Sequence, residues 1–138
     1  MLRRNEKVEW IKHAPLFANL SKRDLAEVAH LADELDLREG KEMTRQGAPA
    51  REFFVLLEGE ADVRKNGRRI NQLGPGDFFG EIALVSNVPR TASVTTTSPV
   101  RALVVSSRDF WTLLDESPTT QRKILETVGD RLAKHDES

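Results

Sequence analysis

Apolar residues along this chain change their period twice. Val8, Trp10 and Ile11 give one apolar side to a short helix over residues 5–13, which Pro15 ends. Leu16 and Phe17 follow as hydrophobic anchors in a tight turn. Leu25, Val28, Ala29, Ala32 and Leu35 then recur at three- and four-residue intervals, predicting an amphipathic helix from Ser21 to about Asp33. Ser21 is the N-cap of that helix, with Asp24 in its first turn. From Leu35 to Val105 the segments become short and rich in β-branched and aromatic residues: FFVLLEG, EADVRK, RRINQL, TASVTTT and VRALVVS. Turns punctuate them at Gly40-Lys41, Gly47-Ala48-Pro49, Gly59, Asn66-Gly67, Gly74-Pro75-Gly76 and Ser98-Pro99. Asn66-Gly67 carries the strongest hairpin signal. Beyond Val105 the helical period returns. Ser106 or Ser107 caps a segment bearing Phe110, Leu113 and Leu114, which halts before Pro118. Thr119 or Thr120 opens a last helix bearing Ile124, Leu125, Val128 and Leu132, and Gly129 weakens it.

The pattern predicts a mainly β domain with flanking helices. Its centre is an antiparallel jelly-roll-like β-roll over 35–105, preceded by a helical part at 5–34 and followed by two C-terminal helices at 106–135. At 138 residues the chain is read as one domain, 1–138, long enough to bury its own core. A formal net charge of −1 argues against binding nucleic acid through a basic surface. The chain holds no cysteine, which fits a reducing compartment and removes thiolate metal sites. No apolar run reaches membrane-spanning length, and MLRRNEKVEW lacks the apolar stretch of a signal peptide, so the expected address is cytoplasmic.

One stretch, LGPGDFFGEIALVSNVPRTASV from Leu73 to Val94, departs from the strand pattern. Glycines lead into a short apolar helical turn, Ile82-Ala83-Leu84, opened by Glu81, and Pro89-Arg90 precede a strand. A helix N-terminus offers unpaired N–H groups to an anion. Arginine adds a planar fork that matches two phosphate oxygens. A carboxylate is a poor phosphate ligand, so Glu81 calls for a donor such as a sugar hydroxyl. Phosphate, sugar and arginine together point to a nucleotide. The glycines are spaced GxGxxxG and follow no βαβ unit, so this is not a dinucleotide fingerprint.

FGEIALVSNVPRTASV resembles the phosphate-binding cassette of the cyclic nucleotide-binding domain family, and the similarity of pattern extends over roughly residues 8–135. The resemblance implies a cassette at 78–92 set in a β-roll between helices. It implies a 3′,5′-cyclic nucleotide as ligand, cAMP before cGMP, with no other cofactor, no metal and no catalytic residue. Arg90 would pair with the cyclic phosphate, N–H groups of Ile82, Ala83 and Thr91 would complete the cradle, and Gly80 would permit close approach. Glu81, ionised at the helix start, would accept from the ribose 2′-hydroxyl. In cGMP-dependent kinases a threonine after the arginine is linked to cGMP preference, yet many bacterial cAMP-binding members also place serine or threonine there. Thr91 therefore leaves the base open. The residue covering the base would come from the last helix. Ile124 and Val128 are candidates whose other role is core packing.

The same resemblance implies that the C-terminal helices hinge when ligand draws the cassette inward; the mobile part would be Ser106 to about His135, where Pro118 breaks the two helices apart, Thr119-Thr120 give a polar joint and Gly129 loosens the second. No segment after Ser138 supplies the helix-turn-helix that follows this domain in some family members, so a separate protein partner is expected to read the bound state. Two alternatives belong to other classes. One is an interaction module of the same fold that binds no nucleotide. The other is a metal-dependent cupin enzyme, which requires clustered histidines on the strands; His13, His30 and His135 all lie in the terminal helical regions.

Overall fold

A computed structural model describes residues 4–136. The side chain of Leu132 and the last residues of the polar tail, Glu137 and Ser138, lie outside the described residues.

Eight strands form two four-stranded antiparallel sheets. They are β1 (Asp33–Leu37), β2 (Glu42–Thr44), β3 (Glu52–Glu58), β4 (Ala61–Lys65), β5 (Arg68–Leu73), β6 (Phe78–Phe79), β7 (Ser93–Thr96) and β8 (Val100–Ser106). One sheet runs β1-β8-β3-β6 and the other β2-β7-β4-β5. The helices are α1 (Arg4–His13), α2 (Lys22–Leu31), α3 (Glu81–Val85), α4 (Ser107–Glu116) and α5 (Pro118–Asp136), with a 3-10 turn at Pro15–Phe17. The β-roll between terminal helices matches the expectation. No described helix is long and apolar enough to cross a membrane.

The molecule has three layers, and β3 shows why. Its run FFVLL is buried throughout because both of its faces are covered. Phe53, Val55 and Leu57 face a core shared with the helices, whereas Phe54 and Leu56 face the core between the sheets. The β alternation of side chains thus feeds two cores from one strand. β6 repeats this in two residues. Phe78 meets Phe53 at 5.6 Å on the helical side, and Phe79 stacks on Phe54 at 5.0 Å between the sheets. Two opposed aromatic anchors fix the backbone immediately before Gly80. The cassette therefore starts from a rigid point.

The Asn66-Gly67 hairpin is present between β4 and β5, with φ of 54° and 78° as a type I′ turn requires. Ser21 caps α2 and Ser106 caps α4, each accepting from the N–H three residues on. Two boundaries differ from the sequence reading. α2 ends at Leu31, and Asp33, Glu34 and Leu35 belong to β1, where they pair with Val104, Leu103 and Ala102 of β8. Ladder pairing overrides the continued helical period of Leu35, so the roll begins two residues before the expected boundary. The last helix opens at Pro118 rather than at Thr119 or Thr120. Proline suits a first helical position because the N–H it lacks has no helical partner there. Ser117, buried, accepts from the N–H of Thr120 and donates to its hydroxyl at 2.8 Å.

Candidate functional site

The connection from β6 to β7 holds α3, and a cleft of about 640 Å3 opens beside it. Gly80, Glu81, Ile82, Ala83, Arg90 and Thr91 all line this one cleft. The six residues expected from the sequence are therefore brought together. Gly74 and Gly76 are not among them. Both belong to the β5–β6 turn, where Asp77 accepts from the Gly74 N–H at 2.8 Å. Gly80 has φ of 94°, and a Cβ there would lie 2.7 Å from Arg90 Nη1 and 2.9 Å from the Glu52 carbonyl oxygen. What this glycine admits in the structure is the arginine itself, pressed against the backbone.

Arg90 is buried, at 6% exposure. Its guanidinium donates to the Gly80 carbonyl at 3.1 Å and to the Glu52 carbonyl at 2.6 Å. A guanidinium has five N–H donors, so most remain for the cleft. Burial depresses the guanidinium's pKa, and the nearby carboxylates of Glu52 and Glu81 work against that. The nearest Glu52 oxygen is 4.0 Å away. A buried cation whose paired carboxylate stands as far as 4.0 Å is suited to an anion that arrives from solution.

Glu81 is fully buried at the start of α3. One carboxylate oxygen takes an ion pair from Arg131, and the other, Oε2, has no hydrogen-bond partner among the described residues. Desolvation raises its pKa above the ordinary value, and the Arg131 charge is the largest influence opposing this. The helix start favours the ionised carboxylate expected from the sequence, and burial acts against it. α3 is a single short turn, and burial outweighs it. The Arg131 guanidinium favours the charged form.

Arg131 was not singled out by the sequence. It also donates to the Phe78 carbonyl at 2.6 Å and lies over the Phe78 ring at 5.0 Å. Thr127, Asp130 and Arg131 form the face of α5 turned to the cleft. Ile124 and Val128, the candidates for covering a base, are buried in the helical core instead. The helical period could have separated these two faces, since 124 and 128 share a stripe with the apolar residues. It could not have said which polar residue of the other face meets Glu81. From the opposite sheet, Lys65, Ile70 and Asn71 complete the rim.

An arginine-bearing cassette and a buried carboxylate at one cleft of a β-roll make up a ligand-binding class of domain. Comparison with known proteins agrees. A model of the cyclic nucleotide-binding domain matches residues 34–117, more than half the chain, and the chain belongs to that family. A Rhodopseudomonas palustris protein named as a potassium channel is 34% identical over 96% of this chain. A cAMP-dependent protein kinase regulatory subunit of Mycosarcoma maydis is 37% identical over 88% of it. The chain spans only 34% and 25% of the length of those two relatives. A solved cAMP-bound PfPKA-R chain superposes with a TM-score of 0.79 at 23% identity, covering 91% of this chain and 47% of that one. This likeness shows the fold. Among the described residues no group of three His, Cys, Asp or Glu side chains is placed to hold a metal ion. His13 and His30 are exposed on α1 and α2.

Proposed function

We propose that residues 1–138 act as one regulatory unit that binds a 3′,5′-cyclic nucleotide in the cleft and does not turn it over. The observation that carries this reading is Glu81 Oε2, a fully buried acceptor without a partner among the described residues, beside a buried arginine. An unsatisfied buried acceptor is costly, and a ribose 2′-hydroxyl supplies the missing donor. The cyclic phosphate then sits on Arg90, with the N–H groups of Ile82, Ala83 and Thr91 completing its cradle. Charge-assisted hydrogen bonds contribute roughly 1.5–3 kcal/mol each, and micromolar affinity needs about 8 kcal/mol. The arginine, the carboxylate and a few backbone donors suffice after ordering costs.

The preferred base is adenine. The support is the cAMP-dependent kinase name of a relative 37% identical to this chain, while Thr91 leaves guanine accessible. The signal leaves through α5. Arg131 bridges that helix to Glu81, so a nucleotide that engages Glu81 acts on the helix through one residue. A ligand shifts such an equilibrium only by its differential affinity for the two helix positions. A separate protein surface reads the result.

Equilibrium dialysis with labelled cAMP, competed by cGMP, tests the reading. Saturable binding displaced more readily by cAMP than by cGMP, with the ligand recovered intact, supports it. Stronger competition by cGMP overturns the base preference, and recovery of a ring-opened nucleotide overturns the non-catalytic assignment.

A further inference from the structure

Beside α3 lies a second hollow of about 480 Å3. Ala50, Leu84, Val85, Val88, Pro89 and Trp111 of α4 are among its lining residues. No charged side chain lines it. Trp111 is 42% exposed and Val88 41%. Among the described residues only four large hydrophobics are exposed to this degree, and two of them flank this one hollow. Clustering of that kind marks a contact surface rather than scattered surface residues.

Two arginines adjoin lining residues of the hollow in sequence. Arg51 follows Ala50 in sequence and Arg108 follows Ser107. The Ser107 N–H donates to the Arg51 carbonyl at 2.7 Å, which joins the backbones of the two segments. Both are exposed, and no hydrogen bond or ion pair holds either guanidinium among the described residues. Asp115 and Glu116 stand at the opposite end of α4.

We propose that this hollow is a docking site for an acidic protein segment with an apolar anchor. The anchor seats against Trp111 and Val88, and carboxylates meet Arg51 and Arg108. Tryptophan and arginine around a concave apolar centre are the residue types that dominate protein contacts. A lipid surface would want a protruding apolar face with a broader basic cluster. The site is also tied to the cleft. Ala83 lines both, and the Gly47–Ala50 loop is clamped to Arg90 by two backbone bonds, Gly47 N–H to the Arg90 carbonyl at 2.8 Å and Arg90 N–H to the Ala48 carbonyl at 2.9 Å. Communication between the two sites rests on the nucleotide reading. Docking itself does not.

The test uses the whole chain, isotopically labelled and free of nucleotide. It is titrated with an amphipathic peptide of about 15 residues bearing Leu and Phe at helical spacing with Glu between, and with the same peptide carrying Lys for Glu. The acidic peptide is expected to shift the Trp111 indole N–H and the amides of 84–88. The basic peptide is expected to bind at least about tenfold more weakly. Trp111→Ala, and separately Arg51→Glu with Arg108→Glu, should each reduce acidic-peptide affinity by at least about tenfold. Equal binding of both peptides, binding that survives Trp111→Ala, or no shift at Trp111 up to millimolar peptide overturns the proposal. So does Trp111-dependent sedimentation with phosphatidylserine vesicles that the acidic peptide does not displace. A nucleotide titration of the same variants is read separately, so failure of docking leaves the cleft assignment standing.

Discussion

Glu81 places a carboxyl group where burial resists charge, and its pH behaviour follows from that. Its folded-state pKa lies above its ordinary value. Its contribution to stability is therefore full below the unfolded pKa, near 4.5, and is lost as pH rises through the higher folded value. Glu81→Gln should remove that decline, which urea denaturation at a series of pH values would detect; an unchanged slope would contradict the burial argument. Ligand affinity has the opposite sense, because the ionised carboxylate is the stronger acceptor for the ribose hydroxyl. cAMP affinity should fall on acidification at a higher pH than for an ordinary glutamate, and Arg131→Ala should move that fall higher still. Gly80 offers a second test at this scale. With φ of 94° and both Arg90 Nη1 and the Glu52 carbonyl within 3 Å of a Cβ position, Gly80→Ala combines strain with a clash. We expect it to cost at least about 1–3 kcal/mol in denaturant unfolding, and a neutral result would show that the guanidinium moves aside freely.

At the scale of elements, α5 joins the cleft to the helical layer. Ile124 and Val128 pack with Ile11, Leu16, Phe17 and Phe110, and Lys123 donates to the Pro15 carbonyl at 2.9 Å. A displaced α5 therefore carries the N-terminal turn with it or breaks these contacts. The α4–α5 joint is firmer than its sequence suggests, since the buried Ser117–Thr120 pair and Pro118 form a cap. Gly129 is the loose point. A Cβ there meets nothing within 4 Å, so Gly129→Ala should stabilise the chain by about 0.5–1 kcal/mol. Hydrogen exchange with and without cAMP should show altered protection across 118–131 as well as in the cassette. Changes confined to 80–91 would leave a rigid binding module. Elements of strong period were legible in the sequence: the Asn66-Gly67 hairpin, the serine caps and the strand segments all stand where their chemistry placed them. The Leu35 error arose because a strand one residue beyond a helix can extend its period by chance, and only the β8 ladder decides.

For the whole molecule, the cassette was legible because its chemistry is contiguous in sequence. Gly80 through Arg90 span one short loop, and the fold needs only to anchor Phe78 and Phe79 to bring it together. The remaining walls were not legible. Arg131 reaches Glu81 from fifty residues away, and Lys65 and Asn71 arrive from the opposite sheet, so their roles exist only once the layers close. The docking hollow is likewise assembled from three separate segments. The central claim is that Arg90 and Glu81 in one cleft bind a cyclic nucleotide, and a calorimetric titration with cAMP tests it most directly. Wild type should bind with one site per chain. Arg90→Lys, which keeps the charge and loses the fork, should weaken binding by roughly a hundredfold, and Glu81→Gln by less because its amide oxygen still accepts. No heat up to millimolar cAMP and cGMP, or equal affinities for wild type and Arg90→Lys, would contradict the account.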